Sequence, residues 1–186
     1  MHPFGHLRTI SRHRHAVIKL CAKCGILFQG LRHDLSKYSP TEFIPGAKYY
    51  TGTRSPNEAE RLERGYSSAW LHHKGRNRHH FEYWTDYNPA ERRVMPVRMP
   101  DRYVAEMFCD RVAASKIYRG AEYEDRYPLE YFMRGKANRS IHPETSEQLE
   151  ALLTMLRNEG EDKTTAFIKN WLRGGPAPGG GEPHDD

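Results

Sequence analysis

His33 stands beside Asp34, and Lys37 follows three residues later. A neutral imidazole and a carboxylate that can bind one ion or bridge two are good ligands for first-row divalent metals. If the segment is helical, Lys37 lies one turn beyond Asp34 on the same side. Its cation can then neutralise an anion resting on a metal. A His-Asp pair is a common dipeptide, so this chemistry needs ligands from elsewhere. The chain has eleven histidines, nine of them before residue 81. Four fall in one block, His72-His73-Lys74-Gly75-Arg76-Asn77-Arg78-His79-His80. A block this charged ordinarily reads as a solvated basic loop. Two His pairs either side of a Gly turn also suit a ligand set from a helix end and the loop after it.

These side chains must be positioned by helices. Residues 11–24 carry His13, Val17, Leu20 and Cys24 on one face. His15 lies roughly 160° away on the helical wheel and is expected to be exposed. The competing reading of His13 is a core histidine bonded to a carbonyl. Cys21 and Cys24 form a C-x-x-C without a second pair of ligands, which reads as two core thiols rather than a zinc site.

Ser39-Pro40-Thr41-Glu42 predicts a helix start, with Ser39 as N-cap and Glu42 closing a capping box. Ser55-Pro56-Asn57-Glu58 repeats the device and opens a helix through Leu62, Tyr66, Ala69 and His73. Asp86 to Pro100 reads as an irregular connection. A helix from Pro100 or Asp101 to Arg119 puts Asp110 on the stripe of Tyr103, Met107, Ala114 and Ile117. A lone acid there costs several kcal/mol unless it is paired or metal-bound, and a buried bridge to an Arg is the competing reading.

Residues 121–142 hold short Tyr-rich pieces. Amphipathic helices follow at 143–158 and about 163–173. No strand pattern is evident. The expected fold is all-α, a helical bundle of about six helices over residues 1–173, with a disordered tail at 174–186.

At 186 residues the chain suits a single domain. No stretch approaches the ~18 apolar residues of a membrane span, and the first residues lack a signal-peptide core. A cytoplasmic protein with no membrane partner is expected. Three cysteines do not suggest a disulfide framework. The net charge of +5 suits a protein that handles phosphates, and also weak nucleic-acid binding.

The order His13, His33-Asp34, His72/His73, His79/His80, Asp110 resembles the HD-domain superfamily of metal-dependent phosphohydrolases. In that family an early helix gives a His, a second an HD pair, later helices further His, and a fifth a closing Asp. The Val four residues after His13 is similar to the family's first motif, and Lys37 to the HD-x-x-K of several branches. Cys109-Asp110-Arg111-Val112-Ala113 looks like its final helix. HDLSKYSPTEF (33–43), YYTGTRSPN (49–57) and WLHHKGRNRHHFEYW (70–84) resemble, more narrowly, an HD-like family of bacteria and their phages. This likeness covers roughly residues 6–170. It carries a fold and a metal site but names no substrate.

The resemblance implies an HD-like helical bundle. His13, His33, Asp34 and Asp110 suffice for one ion, and Asp34 with His from 72–80 for a second. The ligand of each pair, His72 or His73 and His79 or His80, stays open. Ligands without Cys favour Mn, Fe, Co, Ni or Zn in an open site. The expected activity is hydrolysis of a nucleotide or other small phosphomonoester. Asp34, Lys37 and Arg76 would be catalytic, and Lys37, Arg76 and Asn77 would contact substrate. Two other readings compete. One is a nucleic-acid-binding module using Arg8, Arg12, Arg14, Lys19, Lys74, Arg76 and Arg78. The other is a di-iron oxidoreductase on the same fold.

Overall fold

The computed structural model describes residues 1–180. Nine α-helices occur among them: α1 (Pro3–Lys23), α2 (Leu27–Arg32), α3 (Pro40–Lys48), α4 (Pro56–Arg64), α5 (Ser68–Lys74), α6 (Asp101–Arg119), α7 (Tyr127–Gly135), α8 (Pro143–Glu159) and α9 (Glu161–Trp171). The all-α expectation holds, with more and shorter helices than the six expected. The helix read across 55–73 is two helices. Gly65 takes a left-handed φ of 79° that ends α4. Ser67 then caps α5 by accepting the Trp70 amide at 3.0 Å. The buried Glu60 carboxylate joins the pieces by accepting from Ser67 and Ser68 at 2.6 and 2.7 Å.

One strand pair corrects the strand-free reading. β1 (Thr85–Asn88) and β2 (Arg93–Pro96) form an antiparallel ribbon within the stretch expected to be irregular. Asn88 accepts the amides of Ala90 and Glu91 with its own side chain and so closes the turn. The ribbon is exposed on most of its length, so it lacks the apolar alternation by which half-buried strands are recognised. The expected tail is corrected in its first part. Pro178 is buried and Gly179 lies against Ala151 and Glu147 of α8. The remainder, 181–186, lies outside the described residues.

The core forms where the apolar faces of α1, α6, α7, α8 and α9 meet. Val17 and Leu20 of α1 pack with Val104, Phe108 and Val112 of α6, Phe132 of α7, four leucines of α8 and Ile168 of α9. Each such fully buried side chain stabilises by about 1.5–3 kcal/mol. The three cysteines are free and buried, with Cys24 and Cys109 sulfurs 3.7 Å apart. Cys21 and Cys24 are core thiols, as their spacing suggested, and Cys109 joins them.

The short helix α2 turns back along α1 and delivers His33. Gly30 makes this possible. A Cβ there would sit 2.6 Å from the Cys21 Cβ and 3.4 Å from the Ile18 Cα. Gly30→Ala must push α2 away from α1 and is expected to destabilise by about 1–3 kcal/mol. Thermal unfolding should show a lowered midpoint. An unchanged midpoint would mean that the two helices are not held this closely.

Candidate metal centre

The centre lies at the edge of the core, where α1, the α2–α3 turn, the end of α5 and α6 converge. α1 brings His13, which is buried, while His15 is exposed and bonds the Ser11 carbonyl at 2.7 Å. The His33-Asp34 segment is not helical as supposed. α2 stops at Arg32, His33 is extended, and Asp34 adopts the left-handed conformation at φ 56°. Aspartate is among the few non-glycine residues that tolerate this region. Arg14 of α1 secures the turn by donating to the carbonyls of Leu31 and His33. Lys37 therefore reaches Asp34 from a 3₁₀ turn, its Nζ 2.5 Å from Oδ2.

The Asp34 carboxylate is the hub. Its Oδ2 lies 3.2 Å from His33 Nε2 and 3.7 Å from His13 Nε2. Its Oδ1 lies 3.2 Å from His73 Nε2 and 3.5 Å from His79 Nε2. Asp110 Oδ1 closes the first side, 2.9 Å from His13 Nε2 and 3.5 Å from His33 Nε2. His80 closes the second, its Nε2 2.9 Å from that of His73. Two groups result, His13-His33-Asp34-Asp110 and Asp34-His73-His79-His80, each with ligand atoms within 4.8 Å of one another. Either could hold a metal ion.

The state of these atoms matters more than their proximity. His13 Nε2, His33 Nε2, His79 Nε2 and both Asp34 oxygens are buried and, apart from their ion-pair approaches to one another, to Asp110 and to Lys37, make no hydrogen bond among the described residues. Buried polar atoms without partners cost about 1–3 kcal/mol each. Five of them gathered around the Asp34 carboxylate, in an all N/O donor set, fit divalent first-row cations.

Two further carboxylates fix the imidazoles from behind. Glu106 of α6 accepts from His33 Nδ1 at 2.9 Å and lies 3.2 Å from His79 Nδ1. Glu42 of α3 accepts from His73 Nδ1 at 2.8 Å and His72 Nδ1 at 2.7 Å. A proton held on Nδ1 leaves the Nε2 lone pair bare toward the centre, the usual outer arrangement around metal-binding histidines. Gln29 holds Glu106 in turn, donating to its other oxygen and to the Arg102 carbonyl. The capping-box reading of Glu42 is thus corrected, since its carboxylate points inward to α5. Ser39 likewise begins α3 without capping it, because its hydroxyl donates to the Ser36 carbonyl. Neither acid was recognised in the sequence. Glu106 sits four residues before Asp110 on the same helix, a signal that was available.

The electrostatics follow from the packing. Burial works to raise the Asp34 pKa, but His33, Lys37 and His73 outweigh it and hold the acid well below its usual range. Burial opposes the charge on Glu106 too, and its bonds to His33 and His79 still bring it down to about 2. Burial would lower Lys37, yet Asp34 keeps it above its ordinary value. His80 goes the other way. Burial, then His79 and His73, push it far down, so it is neutral at pH 7.

The remaining expected residues fall elsewhere. His72 belongs to neither ligand group and bonds Glu42 instead. Asn77 is buried and donates its amide hydrogens to Ser36 Oγ and the His73 carbonyl, both at 2.8 Å. It braces the end of α5 rather than facing a substrate. Arg76 is exposed and makes no side-chain bond among the described residues. Among the described residues no arginine bridges Asp110; its partners are His13 and His33.

The fold and site together define a helical-bundle protein with a buried His/Asp centre that can take a metal ion. Residues 2–155 match the model of DUF5662, described as a family of unknown function, and the chain belongs to that family. Comparison with curated proteins and with solved structures gives no match.

Proposed function

We propose that the protein is a metal-dependent phosphohydrolase of HD-like architecture, acting on a nucleotide or other small phosphomonoester. The observation that carries this reading is the set of buried, unbonded Nε2 and carboxylate atoms around Asp34. The two ligand groups, which share Asp34, would hold one or two divalent ions of Mn, Fe, Co, Ni or Zn. Such ions supply Lewis acidity at a phosphoryl oxygen and a water acidic enough to ionise near neutral pH.

The chain's own residues do the rest. Asp34 keeps its charge among the imidazoles. Glu42 and Glu106 hold the rings in one tautomer. Lys37, part-exposed beside Asp34, offers its ammonium to a phosphate oxygen. Arg76 stands exposed past the end of α5, where its fork can take a second anionic group of a substrate.

The test is elemental analysis of purified protein, followed by assay of p-nitrophenyl phosphate and a nucleotide panel with Mn, Co or Ni. Bound metal and phosphate release support the proposal. Metal-free protein that neither takes up these ions nor releases phosphate overturns it, as does iron-loaded protein that consumes oxygen instead.

A further inference from the structure

Residues 1–38 hold seven Lys and Arg against one acid, Asp34. This is a net +6, while the whole chain carries +5. The remainder is therefore nearly neutral, and the positive charge is concentrated on α1, α2 and the turn after them. Lys23 and Lys37 are engaged by acids. Arg8, Arg12, Lys19 and Arg32 are exposed and have no acidic partner among the described residues. Arg8, Arg12, His15 and Lys19 follow one another at spacings of four, three and four, which makes a single stripe about 16 Å long. The stripe runs on the side of α1 turned away from His13, so it does not line the metal centre.

Beside it runs an apolar strip. Phe4 is 85% exposed and Phe28 is 83% exposed. Leu7, Leu31 and Leu35 are exposed between them. α2 folds back along α1, with Gly30 against Cys21, Arg14 on the Leu31 carbonyl, and Ser11 Oγ 3.2 Å from Tyr38 Oη, and helical spacing puts Leu7 on the side of α1 that α2 covers farther along.

We infer that this α1–α2 face docks on an anionic lipid surface, with Phe4, Phe28 and the leucines entering the interface and the Arg8–Lys19 stripe meeting the headgroups. Cations flanking exposed apolar side chains on helices that do not span are the features that hold proteins in the plane of a membrane interface. Among the described residues no helix is long and apolar enough to cross a membrane. A second copy of the chain is disfavoured, since two faces that each carry the unpaired cations Arg8, Arg12, Lys19 and Arg32 would repel. Nucleic acid would match the cations and the two phenylalanine rings offer stacking faces, but Leu7, Leu31 and Leu35 on the same strip offer neither stacking faces nor hydrogen bonds to bases.

The test is co-sedimentation of the full-length protein with phosphatidylcholine vesicles, with and without about one third phosphatidylglycerol. Binding should require the anionic lipid and weaken as ionic strength rises. Each cation near such a surface strengthens binding about fivefold, so Arg8→Gln/Arg12→Gln/Lys19→Gln should weaken it on the order of 100-fold. Phe28→Ser should weaken it about tenfold. Both variants should keep the wild-type metal content and circular dichroism. The inference is overturned by absence of binding to the anionic vesicles, or by binding that ignores these substitutions. It is equally overturned by a short DNA duplex that competes the protein off the vesicles, or by a stable dimer that Phe28→Ser dissociates.

Discussion

Asp34→Asn is expected to empty the centre and abolish phosphate release. Asparagine is nearly the same size as aspartate and also tolerates left-handed torsion, so the turn between α2 and α3 can persist. What disappears is the charge and one of the two oxygen donors, each of which faces a different ligand group. The loss should exceed the 10–100-fold usual for residues that only orient ligands, reaching about a thousandfold or more. Glu106→Gln provides the contrast. It keeps a hydrogen-bond acceptor for His33 and His79 while removing the charge, and should fall within that 10–100-fold range. Metal content per chain and release from p-nitrophenyl phosphate are the measurements. An Asp34→Asn protein that retains full metal and turnover would show that the carboxylate is structural.

Chelation is expected to cost the fold a large part of its stability. Without ions, the imidazole and carboxylate atoms stay buried without hydrogen bonds, and only ion-pair approaches such as Lys37 to Asp34 and Asp110 to His13 offset that cost. A ligand present at 1,000 times its dissociation constant stabilises by about 4 kcal/mol per site. For a chain of this length 1 kcal/mol moves the midpoint by about 2–4 °C. Two such sites predict a fall of about 15–30 °C on treatment with EDTA, reversed by adding Mn or Zn. The pH dependence should divide accordingly. The metal increment needs neutral imidazoles and should shrink as pH falls, first at His33 and His73, which despite burial the neighbouring acids hold above the ordinary imidazole range, and last at His80, which burial pushes below it. The acids act in a lower window. Glu106 is brought from its usual value down to about 2, and Asp34 and Asp110 are also depressed. A depressed acid binds fewer protons folded than unfolded, so its contribution is present above about pH 4.5 and lost as pH falls toward 2. Unfolding midpoints of treated and untreated protein that coincide at pH 7.5 would contradict the whole account.

The sequence made the helical class legible because α1, α6 and α8 carry long apolar periods. It also made much of the centre legible. His13 could be chosen over His15 by its place on the α1 stripe, and Asp110 stood out as an acid on a helix that had to be buried. The outer carboxylates were hidden for different reasons. Glu42 sits at the third residue of a helix opened by Ser-Pro, where a capping role is the local default, and only the packing of α3 against α5 redirects it. The choice within each His pair was not legible either, since adjacent residues on a short helix or loop differ by a rotation that tertiary contacts set. Asn77 and His72 took bracing roles for the same reason. Helix boundaries such as Gly65, and the exposed β1–β2 ribbon, escaped because neither is marked by a burial pattern.

The backbone torsion at residue 34 has an evolutionary corollary. Glycine, asparagine and aspartate occupy that region readily, and of the three only aspartate is an anion. Glutamate, the nearest chemical relative, is disfavoured by the torsion and displaced by its extra methylene. The position therefore has no conservative replacement. A lineage under selection for the centre is confined to one amino acid there, whereas one released from that selection can drift to asparagine or glycine without losing the turn.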